Sequence, residues 1–180
     1  MLDAAAELAL DGAAGATVDA IAARAGVSRT TVYKWWPSAA AVLLEGLLER
    51  TRYTIESSVS ATTREALHDH LARLISLLRD TPVGALLRGL VASSVSNPVV
   101  GNALVDEWLA PRRAAVIGQL ADGVRRGEVR PGLEYDAVVD VLFAPIYHRL
   151  MFEHQPLTDR LASEILELCW PGIAAADRQE

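Results

Sequence analysis

Apolar residues recur at spacings of three and four along most of this 180-residue chain, and that periodicity limits its fold more than any other feature. Strict alternation, which is typical of half-buried strands, is rare. Only 8 prolines and 12 glycines interrupt the pattern, and hydrophobic residues make up 51% of the chain. This is enough apolar material for a folded core. The sequence therefore predicts an all-α protein.

Caps and helix breakers divide the chain into predicted helices. Thr17 and Ser28 are suitable N-caps, and Thr62 with Glu65 has the spacing of a capping box. Pro111 predicts a kink inside one long helix. The predicted helices cover residues 2–10, 17–25, 28–36, 38–59, 64–80, 82–96, 98–126, 136–152 and 158–170.

The segment from Thr17 to Leu43 has the pattern of a helix-turn-helix. Two short helices can cross closely when a small residue lies at the crossing and a residue tolerant of positive φ lies at the turn. Ala22 and Gly26 occupy those two positions. The predicted inner apolar positions are Ile21, Ala25, Val27, Val32 and Trp35.

The outward face of the second of these helices is polar. A helix of this size fits the DNA major groove and presents its first residues to base edges. Arg29 could pair with a guanine edge, and Tyr33 and Lys34 suit phosphate contacts. The complete set of predicted DNA-binding residues is Thr17, Ser28, Arg29, Thr30, Thr31, Tyr33, Lys34 and Trp35.

Residues 17–38 resemble the signature of the tetracycline-repressor (TetR) family. The closest similarities are Ala-Gly-Val-Ser at 25–28, Thr-Val-Tyr at 31–33 and Trp-Pro-Ser at 36–38. The resemblance implies a homodimer that binds a double-stranded DNA operator and changes its affinity when a small ligand binds. A cytoplasmic location is expected because the single cysteine, Cys169, fits a reducing compartment. It also implies a helix-turn-helix DNA-binding domain over residues 1–45 and a helical ligand-binding and dimerisation domain over residues 46–180.

Two departures from the family pattern and the charge distribution lower the expected DNA affinity. Ala39 stands where the family usually has a phosphate-binding lysine. Many members also carry a basic arm before the first helix, and this sequence begins almost at that helix, so either the arm is missing or the natural start lies further upstream. The formal net charge is −6, although residues 17–40 carry three basic side chains and one acidic one, a net of +2. We expect weak non-specific binding with a shallow salt dependence, so useful affinity requires dimerisation.

The helix predicted over residues 136–152 is apolar nearly all round, which predicts burial on more than one side. A subunit interface would bury it, with the last helix beside it in a four-helix bundle; burial within one subunit is the alternative. The predicted interface residues are Leu142, Ile146, Arg149, Leu161, Ile165 and Leu168.

Large side chains on several C-terminal helices predict a pocket for an apolar or aromatic effector. Ordinary core packing is the alternative for each of them. The predicted lining residues are Leu87, Leu104, Trp108, Phe143, Tyr147 and Met151. Arg88 and the pairs Arg112–Arg113 and Arg125–Arg126 are interpreted as solvated charges.

The sequence leaves two other functional classes as alternatives. An enzyme is disfavoured because no His-Glu-x-x-His motif or Cys–His ligand spacing appears, so no catalytic residue, metal site or cofactor is predicted. Cys169 lies on an apolar stripe, as a core or interface thiol would. A helical ligand-binding or interaction module with weakened or lost DNA binding is the remaining alternative.

The N-terminus lacks a basic signal start and no run of 18 apolar residues occurs, so no membrane partner is expected.

Overall fold

Local capping sets the first helix boundaries. Helix α1 spans Val18–Ala25, and the Thr17 side chain accepts a hydrogen bond from the Ala20 amide at 3.2 Å. Gly26 ends the helix with φ of 67°, a conformation that costs a glycine little. Helix α2 spans Arg29–Trp35, and Ser28 Oγ accepts from the Thr31 amide at 3.1 Å. The predicted caps and turn are confirmed.

The computed structural model describes residues 3–4, 7–8, 17–36, 38–51, 62–81 and 83–176. Residues 3–4 and 7–8 are helical, and the predicted extension of the fourth helix toward Val59 lies outside the described residues beyond Thr51. The remaining helices are α3 (Ala39–Thr51), α4 (Thr63–Asp80), α5 (Val83–Ser94), α6 (Pro98–Ala103), a π-helical segment (Leu104–Leu109), α7 (Ala110–Arg126), α8 (Tyr135–Phe152) and α9 (Leu161–Ile173). The all-α prediction is confirmed.

The irregularity in the long middle helix lies just before Pro111 rather than at it. The amide of Ala110 bonds to the carbonyl of Val105, five residues earlier, at the end of the π-helical segment. Proline lacks an amide hydrogen, and its ring would clash with the carbonyl four residues before it. A wider turn immediately upstream accommodates that ring, and α7 continues to Arg126.

Helix α4 begins at a side-chain capping box, whereas the last helix begins without a side-chain cap. Thr62 and Glu65 form the predicted capping box: Thr62 Oγ1 accepts from the Glu65 amide at 3.2 Å, and Glu65 Oε2 accepts from the Thr62 amide at 3.1 Å. The last helix begins at Leu161, three residues later than predicted, and continues through Pro171 to Ile173. Beyond it, Ala174 pairs with Val129 in an isolated bridge.

The chain forms two compact units. The N-terminal unit comprises Met1–Tyr53 and Leu77–Ala110, and the C-terminal unit comprises Thr54–Ser76 and Pro111–Glu180. In the N-terminal unit, α1 packs on α2, and α3 packs on α5 and α6. In the C-terminal unit, α8 packs on α9. The functional division predicted at residue 45 stays a prediction. Within the described residues, no helix is long and apolar enough to cross a membrane.

Candidate nucleic-acid interface

The crossing of α1 and α2 is closed by three buried side chains. Ile21 and Val32 are fully buried, and Ala22 is the small residue between the helices. Ala25 and Val27 are half-buried. The prediction that Trp35 is an inner residue is wrong, because its side chain is 65% exposed. It is the last residue of the short α2, so its ring lies past the helix crossing.

Six of the eight predicted DNA-binding residues line one surface depression along α2. Tyr33 and Trp35 are exposed there, beside hydroxyl groups and the chain's single lysine. This combination offers aromatic surface, hydrogen-bonding groups and positive charge on one helix. The lining residues are Ser28, Thr30, Thr31, Tyr33, Lys34 and Trp35.

The other two predicted residues have partners within the chain. Thr17 caps α1. Arg29, at the start of α2, donates from Nη1 to Asp19 Oδ1 at 2.9 Å, and this hydrogen bond raises the pKa of the guanidinium. Both side chains are exposed. A DNA base or phosphate would therefore compete with Asp19 for Arg29.

The remaining basic groups of the helix-turn-helix differ in their surroundings. Arg24 Nη1 lies 3.2 Å from Glu7 Oε2 in an exposed ion pair. Lys34 Nζ lies 5.4 Å from the centroid of the Trp35 ring, within cation–π range. Carboxylates thus balance two of the three basic residues of segment 17–40, which agrees with the expectation of modest electrostatic affinity.

The junction between α2 and α3 carries a hydrogen bond that the sequence pattern does not predict. Trp36 Nε1 donates to Glu45 Oε2 at 2.6 Å. Ser38 Oγ accepts from the Ala41 amide at 3.2 Å and so caps α3. Ala39, the first residue of α3, adds no polar side chain to this end. In the sequence, this bond is indicated only by a carboxylate, Glu45, nine residues after Trp36.

The predicted effector-binding residues divide between the two units. Leu87, Leu104 and Trp108 are buried in the N-terminal unit. Phe143 is buried and Tyr147 and Met151 are half-buried along α8, in the C-terminal unit. Their spacing of four places the last three on one helix face. Their contact with a ligand stays a prediction.

The predicted interface residues differ strongly in exposure. Leu168 is 84% exposed on α9, whereas the others are buried or half-buried in the single chain. Arg149 Nη1 donates to the Pro156 carbonyl at 3.0 Å. The buried members of the set are Leu142, Ile146, Leu161 and Ile165. Their role in a dimer stays a prediction.

The interpretation of Arg112 as a solvated charge is wrong, because this residue is only 5% exposed. It lies four residues before Val116 and eight before Leu120, so it shares their buried helix face. Arg88 is half-buried rather than fully solvated. Arg113 is half-buried too and pairs with Asp136 and Asp140, while Arg125 and Arg126 are exposed.

Comparisons with known proteins give a consistent result. The profile described as "Tetracyclin repressor-like, C-terminal domain" matches residues 60–169, and that of "Bacterial regulatory proteins, tetR family" matches residues 1–45. YdeS, an uncharacterized HTH-type transcriptional regulator of Bacillus subtilis (strain 168), is 26% identical over 181 residues, which span 100% of this chain and 91% of that protein.

Two solved structures share the fold. The TetR family transcription regulator SCO0332 superposes with a TM-score of 0.80 at 29% identity, over 93% of each chain. The transcriptional regulator FadR from Bacillus subtilis, solved in complex with stearoyl-CoA, has a TM-score of 0.68 at 22% identity, over 93% of this chain and 94% of that one.

Proposed function

The chain belongs to the tetR family of bacterial regulatory proteins, and on that premise we propose that it is a ligand-responsive repressor in the cytoplasm. In this proposal a homodimer binds a palindromic operator and a small molecule releases it. The observation that carries the proposal is the surface depression along α2, which six of the predicted DNA-binding residues line together.

A helix with this face suits the major groove. Its first residues approach the base edges, and Tyr33 and Lys34 lie one turn further on, where phosphate contacts fix the register. One α2 helix reads only a few base pairs, so a dimer is needed to read two half-sites, about 34–36 Å apart or a multiple of that distance.

An exposed apolar face of the C-terminal unit supports the dimer. Val141, His148 and Phe152 are exposed on α8 at spacings of seven and four, which places them on one side of the helix. Leu168 is exposed on α9, which packs against α8. Exposed large apolar groups on two adjacent helices are typical of an interface between subunits.

The FadR neighbour supports a ligand-controlled function, because its solved structure holds stearoyl-CoA. For this chain we assign the effector to the C-terminal helices. Phe143, Tyr147 and Met151 supply an apolar and aromatic helix face there.

Selection of bound fragments from genomic DNA tests the proposed function. The purified full chain should enrich a palindromic sequence, and an Arg29→Ala, Lys34→Ala double variant should not. An Arg160→Ala variant is the control, because Arg160 is an exposed cation of the C-terminal unit. Failure of the wild type to enrich any sequence would leave the helical ligand-binding module as the function.

A further inference from the structure

A histidine and two arginines lie close together in the C-terminal unit, two of them buried and one half-buried. His70 and Arg73 lie one turn apart on α4, and Arg112 lies near the start of α7. His70 and Arg112 are each only 5% exposed. Burial of an arginine to this extent is rare and requires polar or charged groups around it.

Several polar atoms of this cluster have unmet hydrogen-bonding capacity. The Nε and Nη2 atoms of Arg73 and the Nδ1 atom of His70 are buried and, within the described part of the chain, have no hydrogen-bond partner. An unsatisfied buried donor costs stability, so native proteins pair nearly all such groups with protein atoms, water or a bound group. Two guanidinium nitrogens match the two oxygens of a carboxylate.

The electrostatics of the cluster favour an anion. Burial, followed by the charges of Arg73 and Arg112, lowers the pKa of His70 to about 4, so its ring is neutral at physiological pH. Burial also lowers the pKa of Arg112 to about 10, although the Tyr147 hydroxyl acts in the opposite direction. The positive charges of Arg73 and Arg112 thus both act on His70, so a negative charge placed beside that ring would be stabilised.

Aromatic side chains border the cluster. The rings of His70 and Phe143 meet edge to face, with centroids 5.6 Å apart. Tyr147, whose hydroxyl affects the Arg112 pKa, lies one turn beyond Phe143 on α8. Phe143 and Tyr147 are two of the residues predicted to contact an effector. The basic cluster and this aromatic surface therefore lie in the same unit.

We propose that Arg73, Arg112 and His70 bind the carboxylate of an amphipathic organic acid whose apolar body lies against Phe143 and Tyr147. This inference rests on the proposed function and narrows its effector from any apolar or aromatic molecule to an acid. Arg73 and Arg112 supply the charge, and neutral His70 supplies one further hydrogen bond.

Calorimetric titration of the full-length chain tests this proposal. The probes are octanoate, dodecanoate and 4-phenylbutyrate, each compared with its own primary amide, which keeps the apolar body and lacks the charge. At least one acid should bind tenfold or more tightly than its amide. Arg73→Gln and Arg112→Gln should each weaken that acid tenfold or more. Arg64→Gln, an exposed arginine on the same helix as Arg73, should leave its affinity unchanged.

Three outcomes would overturn the inference: no acid binds, no acid binds more tightly than its amide, or the preference for the acid survives Arg73→Gln. If Arg112→Gln does not fold, the wild-type acid–amide comparison and Arg73→Gln decide the question. DNA binding separates this inference from the proposed function. If only a neutral ligand releases the operator, the organic-acid effector is refuted and the ligand-responsive regulator stands. If the acid binds without any effect on DNA affinity, the acid site stands and the ligand-responsive regulator is refuted.

Discussion

Arg29 and Asp19 are joined across the helix-turn-helix by a hydrogen bond of 2.9 Å between Nη1 and Oδ1. Asp19 is in the first turn of α1, and Arg29 is the first residue of α2. An arginine predicted to read a base edge is therefore held by a carboxylate of the same chain. DNA must displace that carboxylate or bind beside its negative charge.

Asp19→Asn should tighten non-specific DNA binding about two- to fivefold at low salt, because it frees Arg29 and removes one negative charge from the DNA-facing surface. Fluorescence anisotropy with a random duplex measures the change. Asp106→Asn, an equal charge change on an exposed residue of the π-helical segment, is the control. An equal gain in both variants would mean that net charge, rather than the release of Arg29, sets the affinity.

Lys34→Gln should reduce the salt dependence of DNA binding. Each lysine–phosphate contact contributes about 0.9 to the slope of log K against log salt, so a dimer should lose about 2 from its slope. Anisotropy titrations at several salt concentrations give both slopes. If the affinity falls while the slope is unchanged, Lys34 does not contact a phosphate.

The local features of the helix-turn-helix could be predicted from sequence because each depends on residues close together in the chain. Thr17, Gly26 and Ser28 act on amides or backbone angles within a few positions. The Arg29–Asp19 and Trp36–Glu45 bonds depend on how two helices meet, and spacing alone does not determine that.

The buried basic residues of the C-terminal unit, Arg112 and His70, show a different limit. Arg112 lies on the stripe of Val116 and Leu120, and His70 lies beside Leu67 and Leu71, so periodicity did contain the signal for burial. For Arg112, the charge of the guanidinium group argued against burial. A polar residue on an apolar stripe is buried only if neighbouring groups compensate for its lost hydration. Those groups belong to residues distant in sequence, so the local pattern does not show them.

Gly123→Ala should destabilise the chain by about 1–3 kcal/mol. A Cβ atom there would lie 2.5 Å from Thr63 Oγ1 and 2.6 Å from Val129 Cγ2. The same Thr63 hydroxyl accepts from Arg126 Nη2 at 2.8 Å, and the Thr63 amide donates to Glu128 Oε2 at 2.6 Å. The clash would therefore disturb the junction of α4 and α7. Chemical denaturation measures the loss.

Gly118→Ala is the matched control, because it changes the same residue type on the same helix in open space. Alanine favours a helix over glycine by up to about 1 kcal/mol, so this variant should be more stable than the wild type. Equal effects of the two substitutions would contradict a close approach at Gly123.

Leu168→Glu should convert the proposed dimer to a monomer, because a carboxylate would be buried at the proposed interface without a partner. Sedimentation velocity at micromolar concentration measures the species present. Val99→Glu is the control, as Val99 is an exposed apolar residue of the N-terminal unit. A Leu168→Glu protein that remains as dimeric as the control would exclude this face.

His70 should make the stability of the fold depend on pH. Its pKa of about 4 in the folded chain lies below the ordinary value of 6.5, so the unfolded chain takes up a proton first as the pH falls. The contribution is complete above pH 6.5 and is lost as the pH falls through 4, by about 3 kcal/mol in total. Glu128, whose pKa is about 2 instead of the ordinary 4.5, changes the unfolding free energy only below pH 4.5. Between pH 6.5 and 4.5 the unfolding free energy of wild type should therefore fall more steeply than that of His70→Gln, and parallel curves would show that His70 titrates normally.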